Sequence, residues 1–277
     1  MTLFDYLSYS FVQYAIVVGV LTALCAGLVG VPLVLKRYSM MGVGLSNVSF
    51  AGVIIGAIIG VSNTLLIVLP LTILVAILLL ASNRNSKIKG DAAIAMISVG
   101  TLALGYFLMN TFPVSANFAG DVCVALFGND ALVALTTVDI WLSIGMVIMV
   151  LLFYIILYNR IFATTFDPDF AKATGLRAKV YEILIATVIA IVVALSMRLV
   201  GSLLTAALII FPALSAMRVL KDFKMVVICS GLIAVVCAFL GMLVSIMWGT
   251  PVGATIVLAN IVIFLVMFAV GTVLRKV

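Results

Sequence analysis

Val12–Leu35 reads VQYAIVVGVLTALCAGLVGVPLVL, 24 residues without one charged side chain, closed by Lys36-Arg37. About 20 residues at a rise of 1.5 Å cross the hydrocarbon core of a bilayer, and a helix satisfies its own backbone polar groups in lipid. The run therefore predicts a membrane-spanning helix, and the basic pair marks where the chain leaves the lipid. Nor is it an isolated feature. Of the 277 residues, 66% are hydrophobic and 9% charged, where a soluble domain carries about a quarter charged. Fifteen Lys and Arg with nine Asp and Glu suffice to cap span ends but cannot clothe a water-soluble surface. The expected fold class is all-α, a polytopic membrane helix bundle.

Nine spans can be drawn outward from the first, at about 12–35, 41–60, 63–82, 91–111, 131–157, 181–198, 202–217, 225–247 and 252–273, within a single transmembrane domain, residues 1–277. Counts of eight and ten stay open, because Thr111–Asp130 and the 197–217 region have room for half-helices. Met1–Asp5 carries an acid and no basic region, which predicts a retained first span rather than a cleaved leader. Cytoplasmic loops collect Lys and Arg, and here the loops alternate. Lys36, Arg37, Arg84, Lys87, Lys89, Arg160, Lys172, Arg177, Lys179, Arg218, Lys221, Lys224, Arg275 and Lys276 fall on one side, leaving Arg198 on the other. This predicts a multi-pass protein of the cytoplasmic membrane with its N-terminus outside and its C-terminus cytoplasmic. The net charge of +6 is spread over short loops instead of forming a patch, so no nucleic-acid partner is implied.

Within the spans, Gly52, Gly56 and Gly60 repeat at intervals of four, a spacing that lets another helix approach closely, either in the bundle core or at a subunit interface. Pro32, Pro212 and Pro251 lie in or beside spans. Each deletes a backbone hydrogen bond, and the freed carbonyl needs another partner. Pro212, set in a continuous apolar run, predicts a break or kink. Cys25, Cys123, Cys229 and Cys237 show no CxxC spacing and read as small buried hydrophobes.

Several kinds of chemistry are missing. The chain has no histidine, the commonest acid/base group and metal ligand. It has no GxxxxGK[ST] run to cradle nucleotide and no nucleophile–base pair within a span, so the chain is not expected to be an enzyme. Asp91, Asp139 and Glu182 fall near span ends, leaving no mid-span charge for ion coupling. Asp91 suits a helix start.

The stretches Arg37-Tyr38-Ser39-Met40 with Gly42, Asp91-Ala92-Ala93-Ile94, Leu126-Phe127-Gly128, Asp167-Pro168-Asp169-Phe170-Ala171 with Gly175, Val200-Gly201-Ser202-Leu203-Leu204, Ile209-Ile210-Phe211-Pro212-Ala213 and Thr250-Pro251-Val252-Gly253 together resemble the zinc/manganese/iron permease family of ABC importers. Each is weak alone, but they keep the family's order along nearly the whole chain. The resemblance implies a type II ABC importer-like bundle that translocates a divalent metal ion as cargo, with no resident cofactor. Its partners would be ATP-binding cassette subunits, an extracellular or periplasmic metal receptor approaching near Thr111–Asp130, and a second permease copy or a paralogue. It further implies that Asp167, Pro168, Asp169, Ala171 and Gly175 build a cytoplasmic helix that docks on the ATPase. The residues suit that: an Asp caps a helix start, Pro fits the first helical position, and Gly fits the C-terminal cap.

One position departs from the family. Where its second span carries an acid and a histidine as cation ligands, this chain has Val43 and Asn47. An asparagine carbonyl holds a borderline metal ion less well than imidazole. Ser46, Asn47 and Ser49 then suggest either an oxygen-lined pathway face or hydrogen bonds between helices, and no metal ligand set can be assigned. A metal chelate as cargo, or a stand-alone secondary transporter, remains the alternative reading.

Overall fold

The computed structural model describes residues 9–36, 38–61, 63–85, 90–112 and 135–274. Its elements are helices: α1 Ser10–Leu35, α2 Ser39–Ile59, α3 Leu65–Asn85, α4 Gly90–Thr111, α5 Thr137–Phe166, α6 Pro168–Ala173, α7 Ala178–Val200, α8 Ser202–Val219, α9 Phe223–Trp248 and α10 Val252–Leu274. Eight of these are long and apolar enough to cross a membrane. The other long helix, α3, has a shorter apolar stretch, Leu65–Leu80, among its described residues. The protein is thus an all-helical, polytopic membrane bundle. Its regular helices match the nine segments drawn from sequence, with shifted ends. The stretches Leu126–Gly128 and 113–130 of the candidate receptor segment lie outside the described residues, as does Arg37.

Two expectations need correcting. The fifth span, drawn as 131–157, occupies Thr137–Phe166, 30 residues. It starts at a capping box formed by Thr136 and Asp139, continues through Tyr158, Asn159 and Arg160, and stops only at Asp167, whose φ of −142° and ψ of 93° are extended. A residue before proline is pushed out of the helical region, so Pro168 sets the end where hydropathy alone ended it too early. The break expected at Pro212 is absent, since α8 runs from Ser202 to Val219 with Pro212 inside. Buried side chains on both flanks, Leu208, Ile209, Ala213 and Ala216, hold the two halves in one packed face. The interruption falls at Gly201 instead, whose φ of 94° and ψ of 161° end α7 and begin α8.

Helices α1 and α7 are the most buried, with α2 and α8 next, while α4, α5 and α10 turn wide apolar faces outward. Lipid supplies little hydrophobic drive between helices, so close backbone approach and interhelical hydrogen bonds hold the core. Gly30 of α1 lies so near α8 that a Cβ there would sit 2.0 Å from the Ile209 carbonyl oxygen. Ser230 Oγ on α9 donates to the Gly27 carbonyl at 2.7 Å. Pro32 has no N–H for the Leu28 carbonyl one turn earlier, and the Tyr154 hydroxyl of α5 donates to that oxygen at 2.6 Å. Tyr154→Phe should leave this buried carbonyl without a donor and cost about 1–3 kcal/mol, seen as a lower melting temperature in detergent. An unchanged melt would remove the bond from the list of what holds α5 on α1.

The glycine row of α2 also resolves. Gly52 packs against Leu71 of α3 and Gly56 against Thr64 just before it, so this close approach is within the chain. Gly60, with φ of 77°, is the left-handed residue that closes the helix.

The packing sorts helix ends into two sets. At one end, Lys36 after α1, Met41 of α2, Leu80 of α3 and Glu182 of α7 line one small cavity, and Lys36 Nζ lies 3.3 Å from Glu182 Oε1. Phe166 of α5 meets Phe223 of α9 edge to face at that end, with centroids 6.0 Å apart. At the other end, Arg198 of α7 pairs with Asp139 of α5 at 3.8 Å. This is the arrangement that alternating crossings require. It gathers the described Lys36, Arg160, Lys172, Arg177, Lys179, Arg218, Lys221 and Lys224 at one end, opposite Arg198.

Candidate functional site

At the basic end, α6 spans only six residues, too few to persist on backbone bonds alone, and its termini compensate. Asp167 Oδ1 accepts from the backbone N–H groups of Asp169 at 3.0 Å and Phe170 at 2.9 Å. Pro168 occupies the first turn, where a missing N–H costs nothing. Asp169, in the first turn, favourably meets the positive end of the helix dipole and pairs with Lys172. Beyond the C-cap Thr174, Gly175 adopts φ of 82°, and two bonds close the end in a Schellman motif: Gly175 N–H to the Lys172 carbonyl and Leu176 N–H to the Ala171 carbonyl, both 3.0 Å.

Ala171 is fully buried and seats α6 against α5 and α7. Phe170, 63% exposed, points outward with Asp169. Phe166 and Phe162 of α5 are also exposed, and Arg160 of α5 donates to the Tyr181 hydroxyl of α7 with its guanidinium 5.2 Å from the ring centroid. The structure thus unites Asp167, Pro168, Asp169, Ala171 and Gly175 in one capped helix, whose outer side is an aromatic and acidic face on a basic rim.

The second set of residues is not brought together. Ser46 Oγ donates to the Val43 carbonyl at 2.9 Å and Ser49 Oγ to the Leu45 carbonyl at 3.0 Å, both within α2. Asn47 alone reaches another helix, its Nδ2 donating to Ser98 Oγ of α4 at 2.9 Å. Ser46, Asn47 and Ser49 are all buried, and Val43 is half-buried beside them. Among the described residues no group of three or more His, Cys, Asp or Glu side chains stands ready to hold a metal ion. If the Asn47–Ser98 bond ties α2 to α4, Asn47→Ala and Ser98→Ala should each destabilise the protein, and a double-mutant cycle should give a coupling near the ~0.6 kcal/mol average for such bonds in membranes. Strict additivity in melting experiments would show the bond to be inert.

Sequence reasoning passed over Ser98, an unremarkable hydroxyl until α4 is laid beside α2, and the Lys36–Glu182 pair, whose members are separated by 146 positions. Phe223, the ring under Phe162 and Phe166, carried no signal beyond its hydrophobicity.

Comparison with known proteins concerns the chain as a whole. Residues 8–271 match the family described as the ABC 3 transport family. The manganese import system permease protein ScaB of Streptococcus gordonii is 31% identical over 263 residues, 95% of this chain and 92% of that protein. The manganese transport system membrane protein MntC of Halalkalibacterium halodurans is 28% identical over 262 residues, 95% of this chain and 88% of that protein. Among solved structures, PsaBC from Streptococcus pneumoniae in complex with Fab superposes with a TM-score of 0.84 at 28% identity, covering 96% of this chain and 94% of that one. An inward-facing putative metal-chelate type ABC transporter shares the fold at a TM-score of 0.70 and 19% identity.

Proposed function

The chain belongs to the ABC 3 transport family, and from that premise we propose that it is the membrane-spanning permease subunit of an importer for a divalent metal ion, manganese foremost, powered by ATP hydrolysed on separate subunits. The observation that carries the reading is the capped helix α6 on the basic end of the bundle. A chain with no nucleotide-binding run of its own needs a rigid contact through which hydrolysis elsewhere moves the spans. Helix α6 is fixed at both termini and carries exposed Phe170 and Asp169 as that contact. The abundance of Lys and Arg at this end supports a cytoplasmic position for α6, with the N-terminus outside.

In this reading two permease subunits, identical or paralogous, enclose the pathway, and a metal receptor delivers the ion at the end marked by Arg198. The protein does no chemistry of its own, and the metal ion is cargo. Manganese is preferred to zinc because the similar ScaB and MntC proteins are named for manganese import or transport. The α2 residues Ser46, Asn47 and Ser49 carry hydroxyl and amide oxygens and no imidazole, and they are hydrogen-bonded within the bundle instead of being gathered as a ligand set. A chelated metal is the second reading, favoured by Val43 and Asn47 standing where the family's acid and histidine are expected.

The test is the metal content of cells with and without the gene, grown at limiting metal. Loss of the permease should lower cell manganese and be corrected by its return. Unchanged manganese, zinc and iron together would overturn the ion reading, and loss of chelated but not free metal uptake would select the second.

A further inference from the structure

Lys36 and Glu182 meet across two corners of the chain, at 3.3 Å with side chains 11% and 18% exposed. We propose that this ion pair is the sliding link through which movement of α6 reaches α2, the helix that carries Ser46 and Asn47; the inference rests on the reading of α6 as the ATPase contact and of α2 as a helix of the pathway. Each corner is stiff. Helices α6 and α7 are separated only by residues 174–177, and the Schellman closure at Gly175 together with buried Ala171 and Ala178 binds the foot of α7 to α6. Glu182 lies in the second turn of α7. On the other side Lys36 caps α1, and α2 begins at Ser39. Tyr38 N–H bonds the Leu33 carbonyl at 3.0 Å and Met41 N–H bonds the Tyr38 carbonyl at 2.8 Å, so the α1–α2 corner moves as a unit. Ser46 and Asn47 follow on α2.

Between the two corners the apolar packing is incomplete. Tyr38, Met41, Leu80 and Ile185 line a cavity of about 20 Å³ beside the pair, room for one water. The physics of the two contact types differs here. Van der Waals contact loses a quarter to a half of its strength over a gap of about 0.5–1 Å, whereas attraction between charges falls only as the inverse of distance. A sheltered ion pair beside a small void therefore keeps pulling while the corners shift past each other. Well-packed apolar residues would hold a static joint at least as firmly, so stability alone gives little reason for charges at this position. Lys36 and Glu182 are positioning residues in this scheme. Neither needs to touch the cargo.

The experiment uses the full permease co-expressed with its ATPase and receptor and reconstituted in vesicles, with manganese(II) as the probe. Co-purified ATPase, ATP hydrolysis and manganese uptake are measured on the same preparations. Glu182→Gln, close in shape and uncharged, should keep assembly and hydrolysis near the wild-type level while uptake falls about tenfold, within the usual range of a coupling between sites. The exchanged pair Lys36→Glu with Glu182→Lys should recover much of that uptake. The apolar pair Lys36→Met with Glu182→Leu should assemble and melt like wild type yet stay low in uptake. Normal uptake by Glu182→Gln, full uptake by the apolar pair, or a loss that merely follows loss of assembled complex would each overturn the link. If the wild-type preparation itself holds no ATPase and takes up no manganese, the importer reading fails, and the link fails with it.

Discussion

Gly30→Ala should strip most of the folded protein from the membrane. The added Cβ would sit 2.0 Å from the Ile209 oxygen, 2.9 Å from its carbonyl carbon and 3.3 Å from its Cα. An ordinary carbon–oxygen contact is about 3.3–3.6 Å, so α1 and α8 would have to separate by about 1 Å or more. Both partners are backbone, and no rotamer change can make room. Overpacking of cores costs about 1–3 kcal/mol and sometimes more; with α1 at the centre of the bundle and Ile209 fully buried, the upper end applies. Gly19→Ala provides the contrast. Its Cβ would fall 1.8 Å from the terminal methyl of Met242, but a thioether end turns aside readily, and the cost should stay below ~1 kcal/mol. Gly100→Ala, with nothing within 4 Å, is the blank. Yield of monodisperse protein and melting temperature in detergent measure all three. Equal behaviour of the Gly30 and Gly100 variants would mean that α1 and α8 do not touch as described.

The second large effect is on transport and should leave the bundle intact. Asp167→Ala removes the cap that holds two N–H groups of α6, a loss of about 1 kcal/mol. Gly175→Val forces a β-branched residue into φ of 82°, about 1–2 kcal/mol or more. Together they unbalance a six-residue helix by roughly 2–3 kcal/mol, which lowers the ratio of formed to unformed helix on the order of 30- to 140-fold at ten for each 1.4 kcal/mol. Manganese uptake should fall by at least about tenfold, and less ATPase should co-purify, while the melting temperature moves little because α6 lies outside the spans. Full uptake by the double variant would exclude α6 as the docking element. A collapse of melting and uptake together would make it a structural brace.

Much of this was legible beforehand, and the reasons differ between elements. Long apolar runs report spans directly, because the bilayer imposes length and hydropathy at once. The α6 segment was legible down to its caps, since Asp167-Pro168 and Gly175 are local signals and their partners lie within a few positions. The Leu28 carbonyl left free by Pro32 shows the limit of such reading. A partner for it is required by chemistry, yet only the placement of α5 beside α1 identifies Tyr154. At Pro212 the chain does not break, as a proline inside a helix is tolerated when neighbours grip both sides. The end of α5 was misplaced because hydropathy falls at Tyr158–Arg160 while the helix does not. For Ser46, Asn47 and Ser49 the pattern was visible, but a hydroxyl bonded to its own helix looks no different in sequence from one facing a channel.

The length of α5 has a mechanical corollary. Thirty residues make a rod about 45 Å long, against a hydrocarbon slab of about 30 Å with polar layers of some 5–7 Å on either side. On the proposed topology, a rod that starts at the outer edge of the hydrocarbon and stands along the bilayer normal reaches about 15 Å beyond its inner edge, and its tip, bearing Phe162 and Phe166, would hold α6 clear of the lipid surface. Such a standoff is set by protein, so a modest change in bilayer thickness would alter how deep the spans sit without altering the distance from α6 to the rest of the bundle.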